Sequence, residues 1–184
     1  MSKTKNNFIN IDNFNKWFKN TKEGEDRWEQ TLFNNYFKLL EENVGKSDPS
    51  SLEVSKQIIK EMMSHFGDKV FTMKEDLYIG DPIINMLCEY SHHSELIEWF
   101  LEEGGNPNSQ NVERATPIQI ASDVNKDSVI KILAEKGVDP FVKNNSGFSS
   151  IMLLKQWKNK DMINLLVSKN SVPYSKEYID GMLV

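Results

Sequence analysis

Apolar residues recur at three- and four-residue spacing through the first third of the chain. Ile11, Phe14, Trp17 and Phe18 share one helical face, with Asn10 or Asp12 placed to cap its start. A polar break follows over residues 21–26. Trp28, Leu32, Phe33, Tyr36, Phe37, Leu39 and Leu40 then form a broader stripe that ends at Gly45, a residue that enters the left-handed conformation without a Cβ clash. After the loop Lys46-Ser47-Asp48-Pro49, Ser50 and Glu53 have capping-box spacing for a third helix. Ile58, Ile59, Met62, Met63 and Phe66 lie on its apolar face, and Gly67 ends it. Over residues 69–79 the period fails. Val70, Phe71, Leu77, Tyr78 and Ile79 flank Lys74-Glu75-Asp76, which fits a short hairpin or extended loop better than a helix.

Beyond residue 80 the pattern repeats. Trp99-Phe100-Leu101-Glu102-Glu103-Gly104, Ile132-Leu133-Ala134-Glu135-Lys136-Gly137 and Leu165-Leu166-Val167-Ser168-Lys169-Asn170 end three units spaced 33 residues apart. Ile97, Ile130 and Ile163 keep step, as do Leu96, Val129 and Met162. Thr116-Pro117-Ile118-Gln119-Ile120-Ala121 opens the middle unit and Ser149-Ser150-Ile151-Met152-Leu153-Leu154 the last. Asp81-Pro82-Ile83 opens the first, two residues early, which predicts a slightly longer helix or inter-helix turn there. Two antiparallel helices per unit follow. Thr116 can cap while Pro117 takes the first helical position, where a missing N–H costs nothing, and Asp81-Pro82 is expected to act alike. Gly104, Gly137 and Asn170 stand where the second helix ends in a left-handed residue. One unit cannot bury both faces of its helices, so neighbours must stack.

These segments, over residues 80–172, resemble the ankyrin repeat. Gln119 stands where that family usually has histidine, which puts the hydrogen bond between neighbouring hairpins in question. Ser150 replaces proline, and the usual glycine between the two helices is absent from all three units. The resemblance implies a mostly α fold: a helical N-terminal region over 1–79, then a solenoid of stacked helix pairs with short hairpin loops over 80–172. A tail over 173–184 completes the chain, with Tyr178, Ile179 and Met182 packing back on the final repeat. The N-terminal region reads either as a degenerate repeat or, preferred slightly, as a separate cap.

The family implies protein binding on a concave side built from hairpin tips and first helices. Carried onto this sequence, that surface comprises Glu89 and Tyr90 from the first repeat, then Val112, Glu113 and Ala115 from one hairpin. Asp123 and Val124 end the following helix. Asn145 and Phe148 come from the next hairpin, and Gln156 and Trp157 from its helix. Trp157 is either an exposed anchor or a residue packed under the tail, and Tyr90 is either an anchor or part of the core. Trp99 and Phe100 take core positions.

Composition narrows the chemistry. Of the 184 residues, 39% are hydrophobic and ten are Phe, which argues for a folded chain beyond the first few residues. The formal charge is −5 and basic residues are scattered among acids, so nucleic acid is not an expected partner. That charge either serves solubility or favours approach to a basic protein. No secretory signal or membrane span is readable, and the single Cys88 makes no internal disulfide; a cytoplasmic monomer is expected. Glu95, Glu98, Glu102 and Glu103 read best as a solvated helix face. His65 suits a helix C-terminus. Cys88 and His92, four apart, could meet on a helix, yet a nucleophile needs a third, orienting group that the sequence does not supply. The three histidines and one cysteine give no zinc spacing, and no phosphate loop is present, so no catalytic residue, metal or cofactor is expected. The expected role is a non-enzymatic inhibitor or immunity protein that blocks a cognate toxin or enzyme, such as a basic nuclease. An adaptor, or an exported effector binding host proteins, is the alternative, and an enzyme using Cys88 a remote one.

Overall fold

A computed structural model describes residues 28–75, 80–170, 172 and 174–183. The expected helix around Ile11–Phe18 and the placement of Leu77, Tyr78, Ile79 and the Met182 side chain lie outside the described residues. Nine α-helices are present among the described residues, and no β-strand beyond an isolated antiparallel bridge, Lys74 to Pro82.

Helix α1 (Trp28–Val44) buries Leu32, Phe33, Tyr36, Phe37, Leu40 and Val44, an i, i+4 ladder on one face. Helix α2 spans Pro49–Phe66 and starts two residues before the expected box. The Asp48 carboxylate caps it, accepting from the Ser51 N–H at 3.2 Å, with Pro49 at the first helical position. An aspartate one residue before proline therefore outcompetes Ser50. Gly67 ends α2 with φ 56°, and a 3₁₀ turn over Gly67–Phe71 buries Val70 and Phe71.

Three helix pairs follow: α3 (Ile83–Tyr90) with α4 (Ser94–Glu102), α5 (Pro117–Asp123) with α6 (Asp127–Glu135), and α7 (Ser150–Gln156) with α8 (Lys160–Lys169). α3 has eight residues against seven in α5 and α7, which absorbs part of the early start of the first unit. First helices stack in the order α1, α3, α5, α7, and second helices in the order α2, α4, α6, α8. One continuous core runs from Leu32 to Leu166. Phe71 joins the N-terminal pair to the first repeat: its ring meets Phe100 edge-on at 5.4 Å and lies 3.3 Å from where a Cβ on Gly104 would stand.

Helix α9 (Lys176–Leu183) packs on α7. Tyr174 stacks on Tyr178 at 4.9 Å, Phe141 meets Tyr174 at 4.8 Å, and Ile179 is partly buried against the core. Trp99, expected in the core, is only partly buried, with the ammonium groups of Lys56 and Lys60 at 5.9 and 5.8 Å from its ring.

Candidate functional site

The loops before the first helices share one construction. In the middle unit Asn111 N–H donates to Ala115 O at 3.2 Å, and Ala115 N–H returns to Asn111 Oδ1 at 2.9 Å. Thirty-three residues later, Asn144 and Phe148 repeat both bonds at 3.0 Å. In the first unit Glu75 takes the asparagine's part. Its N–H donates to Asp81 O at 3.0 Å, and its carboxylate accepts from the N–H groups of Gly80 and Asp81 at 3.0 and 3.3 Å. The early start of that unit is therefore one extra helical residue plus a shift of cap register, since Pro82 and not Asp81 takes the place of Thr116. Asp81 does not cap α3, whose N-cap is Pro82. Its carboxylate accepts instead from Asn85 Nδ2 at 3.3 Å and Asn111 Nδ2 at 3.0 Å. Burial, against those hydrogen bonds, holds the Asp81 carboxyl above the usual carboxylate range.

Gln119 supplies the cross-repeat bond that its departure from histidine put in question. Its Nε2 donates to Val142 O at 2.7 Å and Phe148 O at 2.9 Å, while its Oε1 accepts from Thr116 N–H at 2.8 Å, closing a capping box. Asn85, its counterpart one repeat earlier, donates from Nδ2 to Ala115 O at 3.2 Å. The hairpins are tied directly as well: Asn145 N–H donates to Glu113 O at 2.9 Å and its Nδ2 to Val112 O at 3.1 Å.

The far ends of the first helices carry a second set of cross-repeat bonds. Lys126 Nζ donates to the carbonyls of Glu89 and Ser91 at the end of α3. Asn159 Nδ2 donates to Asn125 Oδ1 at 2.8 Å and Asp127 Oδ1 at 2.7 Å. His93 Nε2 lies 2.9 Å from Ser51 Oγ on α2. These three residues each precede a second helix and each reach one pair back. Left-handed turns at Asn125 (φ 52°) and Lys158 (φ 56°) replace the missing inter-helix glycines. Gly104 and Gly137 are left-handed as expected, at φ 115° and 68°. Asn170 is not: it is extended (φ −61°, ψ 123°) and exchanges hydrogen bonds with the Val172 backbone.

Two rows of candidate residues result, one at each end of the first helices, about 10 Å apart for a seven-residue helix. The hairpin row exposes Val112, Glu113, Asn145 and Phe148. Ala115 departs from expectation: at 7% exposure it faces inward, where its carbonyl receives Asn85 and the Asn111 backbone. The helix-end row exposes Tyr90, Asp123, Val124, Gln156 and Trp157, with Glu89 half-buried beside them. Trp157 is 55% exposed and does not pack under the tail; its Nε1 donates to Asp123 O at 2.8 Å, which fixes the indole against the preceding repeat. Burial and the neighbouring Glu89 push the Tyr90 phenol up to about 12, so it is neutral at pH 7. Five of the eight large exposed apolar side chains among the described residues lie on these rows: Tyr90, Val112, Val124, Phe148 and Trp157.

Other candidate chemistry is placed elsewhere. Cys88 is fully buried, and burial pushes its thiol well above the usual range, whereas His92 is exposed. Glu95, Glu98, Glu102 and Glu103 are solvent-facing on α4 and its C-terminal end. No cluster of three or more His, Cys, Asp or Glu able to hold a metal occurs among the described residues. No helix among them is long and apolar enough to cross a membrane. An open cavity of about 620 Å³ on the second-helix face, lined by Glu98, Lys131, Glu135, Asp161, Met162 and Leu165, was not foreseen from the sequence. Its residues come from three successive second helices, α4, α6 and α8, and meet only through stacking.

Comparison with known proteins agrees with this geometry. A family model described as "Ankyrin repeats (3 copies)" matches residues 84–177. A protein of Acanthamoeba polyphaga mimivirus, named for its ankyrin repeats, is 24% identical over 110 residues, covering 59% of this chain and 68% of its own.

Proposed function

The chain belongs to the ankyrin-repeat family, whose repeats imply protein–protein interaction, and from that premise we propose that it inhibits another protein by covering its working surface. The observation that carries the reading is the concentration of exposed apolar side chains on the two rows. Trp157 is central to it: a half-exposed indole held in place by Asp123 O can insert into a partner without reordering. Preorganised aromatic anchors of this kind dominate interface energies. The partner class is an enzyme or toxin with a basic face. Between Lys74 and Lys126 the sequence has ten acidic residues and a single Lys or Arg, a local field that steers a basic surface.

The test is affinity capture with the tagged chain, identification of the stoichiometric partner by mass spectrometry, and assay of that partner's own activity with and without the chain. Loss of activity on complex formation is expected. A partner that stays fully active in the complex would instead make the chain an adaptor.

A further inference from the structure

Three residues other than glycine have positive φ among the described residues: Arg114 (56°), Asn125 (52°) and Lys158 (56°). Asparagine tolerates that region, while arginine and lysine gain nothing from it and a Cβ there is strained. The repeat itself shows the relaxed choices. Arg114 falls at the hairpin position that Gly147 fills 33 residues later, with φ 83°. The same turn bond serves both, Arg114 N–H to Asn111 O at 3.0 Å and Gly147 N–H to Asn144 O at 2.9 Å. Lys158 falls at the inter-helix position of Asn125. Strain persists where something else holds it, and such positions cluster at functional sites.

Both strained residues are cations, both are exposed, and both adjoin the apolar rows. Arg114 is two residues from Val112, and Lys158 follows Trp157. Neither enters an ion pair or side-chain hydrogen bond among the described residues. Arg114 is also the one cation between Lys74 and Lys126 and the one arginine among the described residues. General solubility does not explain an arginine at the tip of a hairpin that glycine would relax, within so acidic a stretch.

We infer that Arg114 and Lys158 are specificity-determining contacts that seat carboxylates of the partner protein, one at each row. This rests on the binding reading above. The acidic first repeat attracts a basic face, and the two cations accept only a partner with acidic groups in register, so that mismatched basic surfaces meet unpaired charge. Arginine suits the hairpin site because its planar fork takes a carboxylate bidentately.

The test needs no identified partner. A fluorescent dodecaglutamate peptide is titrated in low salt against the natural chain and against Arg114→Asn/Lys158→Asn. Asparagine keeps the left-handed turns, as Asn125 does, and removes only the charges. The expected result is weaker binding by roughly fivefold or more in the double variant, recovered by Arg114→Lys with Lys158 retained, and an unchanged or raised melting temperature. Equal binding by the two chains, or no binding by either, overturns the inference. Either result can arise while Trp157 still anchors a captured partner, so failure here is distinct from failure of the binding reading.

Discussion

The α1–α2 pair and the three helix pairs after it form one stack by different means. α1 and α2 are long, 17 and 18 residues, and their interface is aromatic: Phe33 meets Phe66 at 5.9 Å and Phe37 at 6.1 Å, and Tyr36 meets Phe66 at 6.4 Å. The repeat helices have seven to ten residues, too few to be stable alone. Polar groups bind each repeat pair to its neighbours: the buried Asn85, Asn111 and Gln119 at the hairpin end, and the half-buried Lys126 and Asn159 at the other. Aromatic area burial carries the first region, with the Ser51–His93 contact and the His92 N–H bond to Val44 O tying it to the first repeat. Directional bonds at the two ends of the first helices hold the second in register, which keeps the two rows of exposed side chains aligned.

Substitutions can break that contrast. The largest effect is expected at Phe33, which is fully buried between Phe37 and Phe66. Phe33→Ala should cost about 3–5 kcal/mol through cavity formation, read as a lower denaturation midpoint. Gln119→Ala removes hardly any apolar area, yet strands the carbonyl of Val142 and the Thr116 N–H and leaves Phe148 O with the Asn144 N–H alone. It should cost about 2–3 kcal/mol, with hydrogen exchange accelerating first in the hairpin over residues 142–148. If Gln119→Ala is neutral, the polar ladder does not hold the repeats. Ser150 occupies the first position of α7, has a buried hydroxyl without a partner, and follows a residue already extended at φ −106°, ψ 166°. Ser150→Pro should therefore stabilise by about 0.5–1 kcal/mol in thermal melts.

The smallest effect is a pH dependence. Burial raises the Asp81 carboxyl in the folded chain, so its ionised form is disfavoured by folding. Its contribution is fully present below the unfolded carboxylate range and is lost as pH rises through the raised folded value. Asp81→Asn should thus gain stability over the natural chain at pH 7 and lose that advantage near pH 4. An advantage that grows on acidification would contradict the assignment.

The repeats were legible in the sequence because their signals are local and periodic. The Thr116-Pro117 start, the glycines at 104 and 137 and the isoleucines at 97, 130 and 163 state a period without any knowledge of contacts. Departures from the family pattern were harder to weigh. Gln119 read as a loss, since a motif records the usual residue and not the geometry a different amide can satisfy. Glu75 gave no sign that it builds a hairpin, because its bonds to Gly80 and Asp81 span a longer loop than the repeat predicts. Ala115 belongs to the binding hairpin by family resemblance, yet it is buried while Phe148, at the equivalent position of the next repeat, reaches solvent. Arg114 was findable: aligned with Gly147, it is the residue that breaks the glycine position.

The two rows of exposed side chains carry the proposed binding, and Trp157 tests them most directly. The measurement is the affinity of the captured partner for the natural chain and for Trp157→Ala, with melting curves alongside. Affinity should fall by about tenfold or more, as for an interface anchor, while the melting temperature stays within a few degrees because the indole lies outside the core. A partner held equally by both chains would show that binding occurs elsewhere on the molecule, and the assignment of this surface would be wrong.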